Sequence, residues 1–191
     1  MFINKSNDLL QEYYFAHPAI KFKMNEIFNS HFTGSPLWDL FSPEVRMLES
    51  TWNRNIKLIF GLPYETHRFF MCPVTGSKHI RSILQKRFIS FAKKCEASSK
   101  QSVKHIFRVA KSDVRSTMGS NIRNILLLLD KEDFREVNQF DPLSLDYHPA
   151  PQTDQWKISL LLELIEAKHG NLQIDLEDQE IETIITDICT T

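Results

Sequence analysis

Five cations recur along one stretch of the chain: Lys100, Lys104, Arg108, Lys111 and Arg115, at steps of four, four, three and four. A helix turns about 100° per residue, so this spacing confines all five to roughly 80° of its circumference. Such a row of ammonium and guanidinium groups suits a polyanion. It neutralises phosphates, releases their counterions and binds without regard to base sequence. The row covers about 22 Å of helix, enough to follow several phosphates. Lys78 and Arg81 precede it, and Arg54, Lys57 and Arg68 extend the basic set. Tyr64, Phe69 and Phe70, beside His67 and Arg68, are rings of the kind that stack on unpaired bases. Core packing is the ordinary use of Phe69 and Phe70.

Other chemistries lack their residues. Two-metal polymerase or nuclease chemistry needs clustered carboxylates, and the chain has no Asp-Asp pair. Gly76-Ser77-Lys78 lacks the spacing of a phosphate-cradling loop, and no Gly-x-Ser-x-Gly elbow occurs. His67, Cys72 and His79 are near in sequence without a Cys-x-x-Cys or His-x-x-x-His pair, so they read as a buried thiol and two polar histidines rather than a zinc site. The expectation is a chain with no catalytic set, no metal, no cofactor and no small-molecule substrate.

The charge distribution sharpens the choice of partner. Residues 54–123 hold 15 Lys/Arg and 3 Asp/Glu, whereas residues 124–191 hold 4 and 15. Net charge is −1 only because the two blocks cancel. The basic block can meet an outside polyanion or the acidic third of its own chain, and asymmetry alone does not choose. At 42% hydrophobic and 25% charged, the chain has the composition of a folded domain. Its longest apolar run, Ile125 to Leu129, is far short of the ~20 residues of a membrane span. MFINKSNDLLQ has no basic start followed by an apolar stretch, so it does not read as a secretory signal. Three cysteines without close spacing read as reduced thiols, which points to an intracellular protein of cytoplasm or nucleus.

Helices must position these residues. Only 5 glycines disfavour a turn-rich β protein. Residues 5–31 predict two helical pieces broken at His17-Pro18. Ser42 and Pro43 open a helix whose apolar face is Val45, Leu48, Trp52, Ile56, Ile59 and Phe60, with Glu49, Asn53, Arg54 and Lys57 off that face. Gly61 and Pro63 stop it. Ile80, Leu84, Phe88, Phe91 and Cys95 predict the next helix. Val103, Phe107, Ala110 and Val114 predict the one that carries the basic row, with a kink or turn at Met118–Asn121 and a short helix after it. Trp156 to Ile165 and Ile181 to Ile188 mark two more helices, and Trp38, Trp52 and Trp156 read as packing anchors. The expected fold is all-α, an irregular bundle of about seven helices. Residues 1–130 form a domain with the basic middle, 131–152 an acidic, Pro-bearing connector, and 153–191 an acidic helical pair packing on the main domain.

The order of several motifs carries a resemblance. Gly34, Ser35 and Trp38, then Trp52 and Asn53, then Leu62, Pro63, Thr66, His67 and Arg68, then Arg87 and Phe88 resemble the C-terminal region of non-LTR (LINE-type) retrotransposon reverse transcriptases. The likeness extends over nearly the whole chain, including DQWKISLLLELIEAKHG. Thr33 stands where that family usually has Tyr. The family's polymerase aspartates and its endonuclease domain lie upstream of this region, and neither is in this sequence. The resemblance therefore implies a tail that helps hold template RNA or target DNA and cannot polymerise by itself. Two alternatives stand beside that expectation. One is a helical interaction or structural module whose basic face is neutralised by its own acidic third; the other is a retroelement remnant without activity.

Overall fold

Ser42 and Pro43 open the longest helix for the reasons their chemistry suggests. The Ser42 hydroxyl accepts the Val45 N–H at 3.4 Å, and Pro43 occupies the first helical position, where no N–H is needed. The helix ends at Gly61, whose φ of +63° is the left-handed conformation that glycine takes without strain. The structure is a computed structural model that describes residues 11–13, 15–29, 32–137, 155–170, 172 and 176–190. Its α-helices are α1 (Pro18–Asn29), α2 (Pro43–Phe60), α3 (Met71–Thr75), α4 (Ile80–Glu96), α5 (Gln101–Ser112), α6 (Thr117–Leu129), α7 (Gln155–Lys168) and α8 (Asp178–Thr190). Single 3-10 turns occur at Ser35–Leu37, Arg68–Phe70 and Phe134–Glu136. Among the described residues there is no strand, and the fold is all-α. The first expected helical piece, with Leu9, Leu10 and Tyr14, lies largely outside the described residues, as does most of the connector.

The chain forms two compact units that interleave in sequence, one from Met1–His31, Ser50–Ser77 and Pro149–Thr191, the other from Phe32–Glu49 and Lys78–His148. The basic stretch 54–123 is shared between the units, residues 54–77 in the first and 78–123 in the second.

The second unit is built on α4. Ile80, Leu84, Phe88, Ile89 and Ala92 are buried along it, and the Ser35–Leu37 turn and α5 pack against it. The expected stripe holds at Ile80, Leu84 and Phe88; beyond them Phe91 and Cys95 are only half-buried, and Ile89 and Ala92 are buried instead. Asn121 ties the loop before α2 to α6: its amide donates to the Trp38 carbonyl at 2.8 Å, and its oxygen accepts the Leu40 N–H at 3.0 Å. Residues 131–137 of the expected connector belong to this core. Phe134 and Val137 are fully buried, with the Phe134 ring edge-on to Phe88.

In the first unit Phe22 of α1 packs edge-on to Trp52 of α2 and against Phe60. α3 packs on α7, and α7 on α8; Leu161 and Leu164 of α7 and Ile181, Ile185 and Ile188 of α8 are buried. Trp156 departs from expectation. It stands at the start of α7 and is 59% exposed rather than a packing anchor.

Candidate nucleic-acid interface

The expected row of five cations is broken by the geometry of its helix. α5 ends at Ser112, because Asp113 turns to extended backbone (φ −88°, ψ 108°) and its carboxylate accepts the Arg115 N–H at 2.9 Å. Ser116 then caps α6 by accepting the Gly119 N–H at 2.9 Å. The turn expected at Met118–Asn121 is thus four or five residues early, and Gly119 lies inside α6. A Cβ on Gly119 would stand 2.2 Å from the Asp113 carbonyl oxygen, so only glycine lets α6 begin this close to the end of α5. Lys100 sits at the cap position before α5 and Arg115 in the turn after it. Lys104, Arg108 and Lys111 alone remain on the helix, a row of about 10 Å.

Within that row the three side chains differ. Lys111 is engaged: its ammonium lies 3.8 Å from the Glu96 carboxylate and 5.9 Å from the centroid of the Phe134 ring. Arg135 shares Glu96 at 3.7 Å. The Arg135 backbone N–H, with the charges of Arg135 and Lys111, holds the Asp133 carboxyl below its ordinary range. Arg108 and Arg115 are exposed and Lys104 is half-buried. Among the described residues these three have no ion-pair partner. Across residues 78–123 there are 12 Lys/Arg and only 2 Asp/Glu, namely Glu96 and Asp113, and both carboxylates are already occupied.

α5 is also shallowly anchored. Phe107 is its buried residue, while Val103 and Ala110 are half-buried and Val114 is exposed. Ile106 and Val109 face solvent at 67% and 58% exposure. More than half of the circumference of α5 is therefore open.

The other expected cations separate. Lys78 is exposed just ahead of α4. Arg81 does not join the basic face: its guanidinium is bound to Glu49 at 2.9 Å with side chains 11% and 10% exposed, and His79 Nε2 lies 3.2 Å from the same carboxylate. Glu49, expected on the solvent side of α2, is buried by this pairing. Exposed Lys94 and Arg123, on α4 and α6, enlarge the basic surface of the second unit beyond the expected set. Their signal in the sequence is their position off the apolar stripes.

Arg54, Lys57 and Arg68 belong to the first unit. Arg54 and Arg68 are exposed. Lys57 is a strut rather than a free cation. It donates to the Tyr64 carbonyl at 2.6 Å, and burial keeps its ammonium below the ordinary lysine value against the pull of Glu65. Of the three candidate rings Phe70 is core, Phe69 is half-buried and Tyr64 is exposed. Among the described residues no group of three His, Cys, Asp or Glu is disposed to hold a metal ion, and no helix is long and apolar enough to cross a membrane.

No family of proteins, no curated protein sequence and no solved structure matches this chain.

Proposed function

We propose that the chain is a non-catalytic, helical nucleic-acid-binding module, of the kind that follows the polymerase core in a non-LTR retrotransposon reverse transcriptase. It grips the phosphate backbone of RNA or DNA and has no polymerase activity of its own. One observation carries the proposal. Lys104, Arg108 and Arg115 have no ion-pair partner among the described residues, in a stretch whose two carboxylates are Glu96, held by Lys111 and Arg135, and Asp113, which accepts the Arg115 backbone N–H. Cations that the protein does not neutralise are available to an outside polyanion. The motif order of the sequence supports the same class of partner.

The test is a salt series. Fluorescently labelled single- and double-stranded RNA and DNA are titrated with the protein from about 50 to 200 mM salt. Affinity is expected to fall steeply, with log K linear in log salt. Changing Lys104, Arg108 and Arg115 to Ala is expected to flatten the slope by about one for each phosphate that is no longer neutralised. Lys111→Ala contributes less, because Glu96 already holds that charge.

A specific observation favours a second reading, an interaction or structural module. Two of the expected cations, Lys111 and Arg81, are neutralised by carboxylates of their own unit. On that reading no binding is seen even at about 50 mM salt.

A further inference from the structure

The turn between α2 and the Arg68–Phe70 helix is built more rigidly than a connection of its length requires. The Leu62 N–H donates to the Lys57 carbonyl at 2.8 Å, and Leu62 is buried. Both the backbone N–H and the hydroxyl of Thr66 donate to the Pro63 carbonyl, at 3.1 and 2.6 Å, and Thr66 is buried. The Lys57 ammonium clamps the Tyr64 carbonyl from α2. Every one of these bonds fixes the backbone around Tyr64, yet its ring is 76% exposed. The ring gains little from folding, and its rigid mount removes most of the ordering cost that binding would otherwise carry.

What the turn presents is ring face rather than charge. Glu65 and Arg68 are the one acid and the one strong base within it, so its formal charge is zero. The Lys57 ammonium lies 5.6 Å from the Tyr64 centroid, a cation over a π-face. Three residues on, exposed His67 leans on half-buried Phe69 at 5.2 Å, and Phe69 on buried Phe70 at 4.3 Å. This run of rings ties a solvent-facing imidazole to the core. Flat faces held this way suit an unpaired nucleobase, because every base has a π-face and a base inside a duplex has none to offer.

We infer that the Leu62–Phe70 turn is a stacking site for an unpaired nucleobase, with Tyr64 as the principal platform and His67 as a second. The inference rests on the nucleic-acid reading above and deepens it: the ligand is single-stranded. The backbone cations of the second unit supply affinity that ignores base and strandedness, whereas the turn discriminates.

Two 20-nucleotide single-stranded RNA probes separate the contributions, one all-uridine and one with abasic residues throughout, next to a 20-base-pair duplex. The wild-type protein is expected to bind the uridine strand about tenfold tighter than the abasic strand. Tyr64→Ala removes most of that difference and leaves duplex affinity and the salt slope unchanged. Tyr64→Phe keeps it, because the ring remains, and His67→Ala lowers it partially. Since the Tyr64 ring is exposed and its clamp uses the backbone, these variants keep the fold. Equal binding of uridine and abasic strands by the wild-type protein overturns the stacking site while leaving phosphate binding intact. Absence of binding to all three probes at about 50 mM salt overturns both.

Discussion

The Arg81 guanidinium donates to the Glu49 carboxylate at 2.9 Å across 32 residues of sequence, with both side chains about nine-tenths buried. A buried pair of this kind adds little over a well-packed apolar pair, but removing one partner strands the other charge. Glu49→Ala is therefore expected to cost about 3–5 kcal/mol and to lower the melting temperature by roughly 6–20 °C. The double variant Glu49→Leu, Arg81→Met is expected to recover much of that loss. Calorimetry on the three proteins checks both statements. If Glu49→Ala melts like the wild type, the pair is not closed in solution.

Gly119 makes a prediction whose sign separates two effects. Alanine is favoured over glycine inside a helix by about 1 kcal/mol. Its Cβ here would stand 2.2 Å from the Asp113 carbonyl oxygen and 2.9 Å from that of Ala110, both backbone atoms that cannot swing aside. Overpacking of this kind costs about 1–3 kcal/mol. Gly119→Ala is expected to destabilise, read as a lower midpoint in urea at unchanged slope. A stabilised variant would mean that the α5–α6 corner is looser than this geometry.

Most of the helices are legible in the sequence because each carries its own caps and its own apolar period. Ser42, Pro43 and Gly61 bound α2 where their local chemistry says they should. The basic row is less legible, since 3.6-residue periodicity continues through Asp113 on paper. A side-chain oxygen three residues before Gly119 decides where one helix stops and the next begins. The fates of Lys111, Arg81 and Glu49 are not legible at all. They depend on partners 15 and 32 residues away, Glu96 for Lys111 and the Glu49–Arg81 pair for the other two, and a carboxylate off an apolar stripe looks solvated until the helix that covers it is in place. Phe134 misleads for the opposite reason: an acidic, aperiodic segment resembles a linker even when one ring in it is fully buried.

That buried ring has a measurable consequence. Phe134 is 0% exposed, stacks edge-on with Phe88 and lies under the Lys111 ammonium. Truncating a fully buried phenylalanine costs about 3–5 kcal/mol. Phe134→Ala is expected to fall in that range by chemical denaturation. Phe134→Leu keeps most of the volume and should cost less than half as much. Equal stability of Phe134→Ala and wild type would make residues 131–137 a linker after all.

Acid is expected to loosen the first unit through His169. Its ring lies edge-on to His17 at 5.4 Å, and His17 Nε2 is 3.7 Å from Glu166. Burial lowers the His169 pKa from its ordinary 6.5; the charges of His17, Lys168 and Lys21 lower it further, and Glu166 opposes them. Folded His169 thus takes up its proton less readily than the unfolded chain does. Where the unfolded state binds more protons, stability rises with pH. The contribution is complete above pH 6.5 and is lost as pH falls from there toward the lower folded value. His17 also caps α1, its Nδ1 accepting the Ala19 N–H at 3.3 Å. Melting temperature measured from pH 7.5 down to 5 is expected to decline, and less steeply in His169→Gln, which cannot take up the proton. Parallel curves for the two proteins would remove His169 as the source of the acid sensitivity.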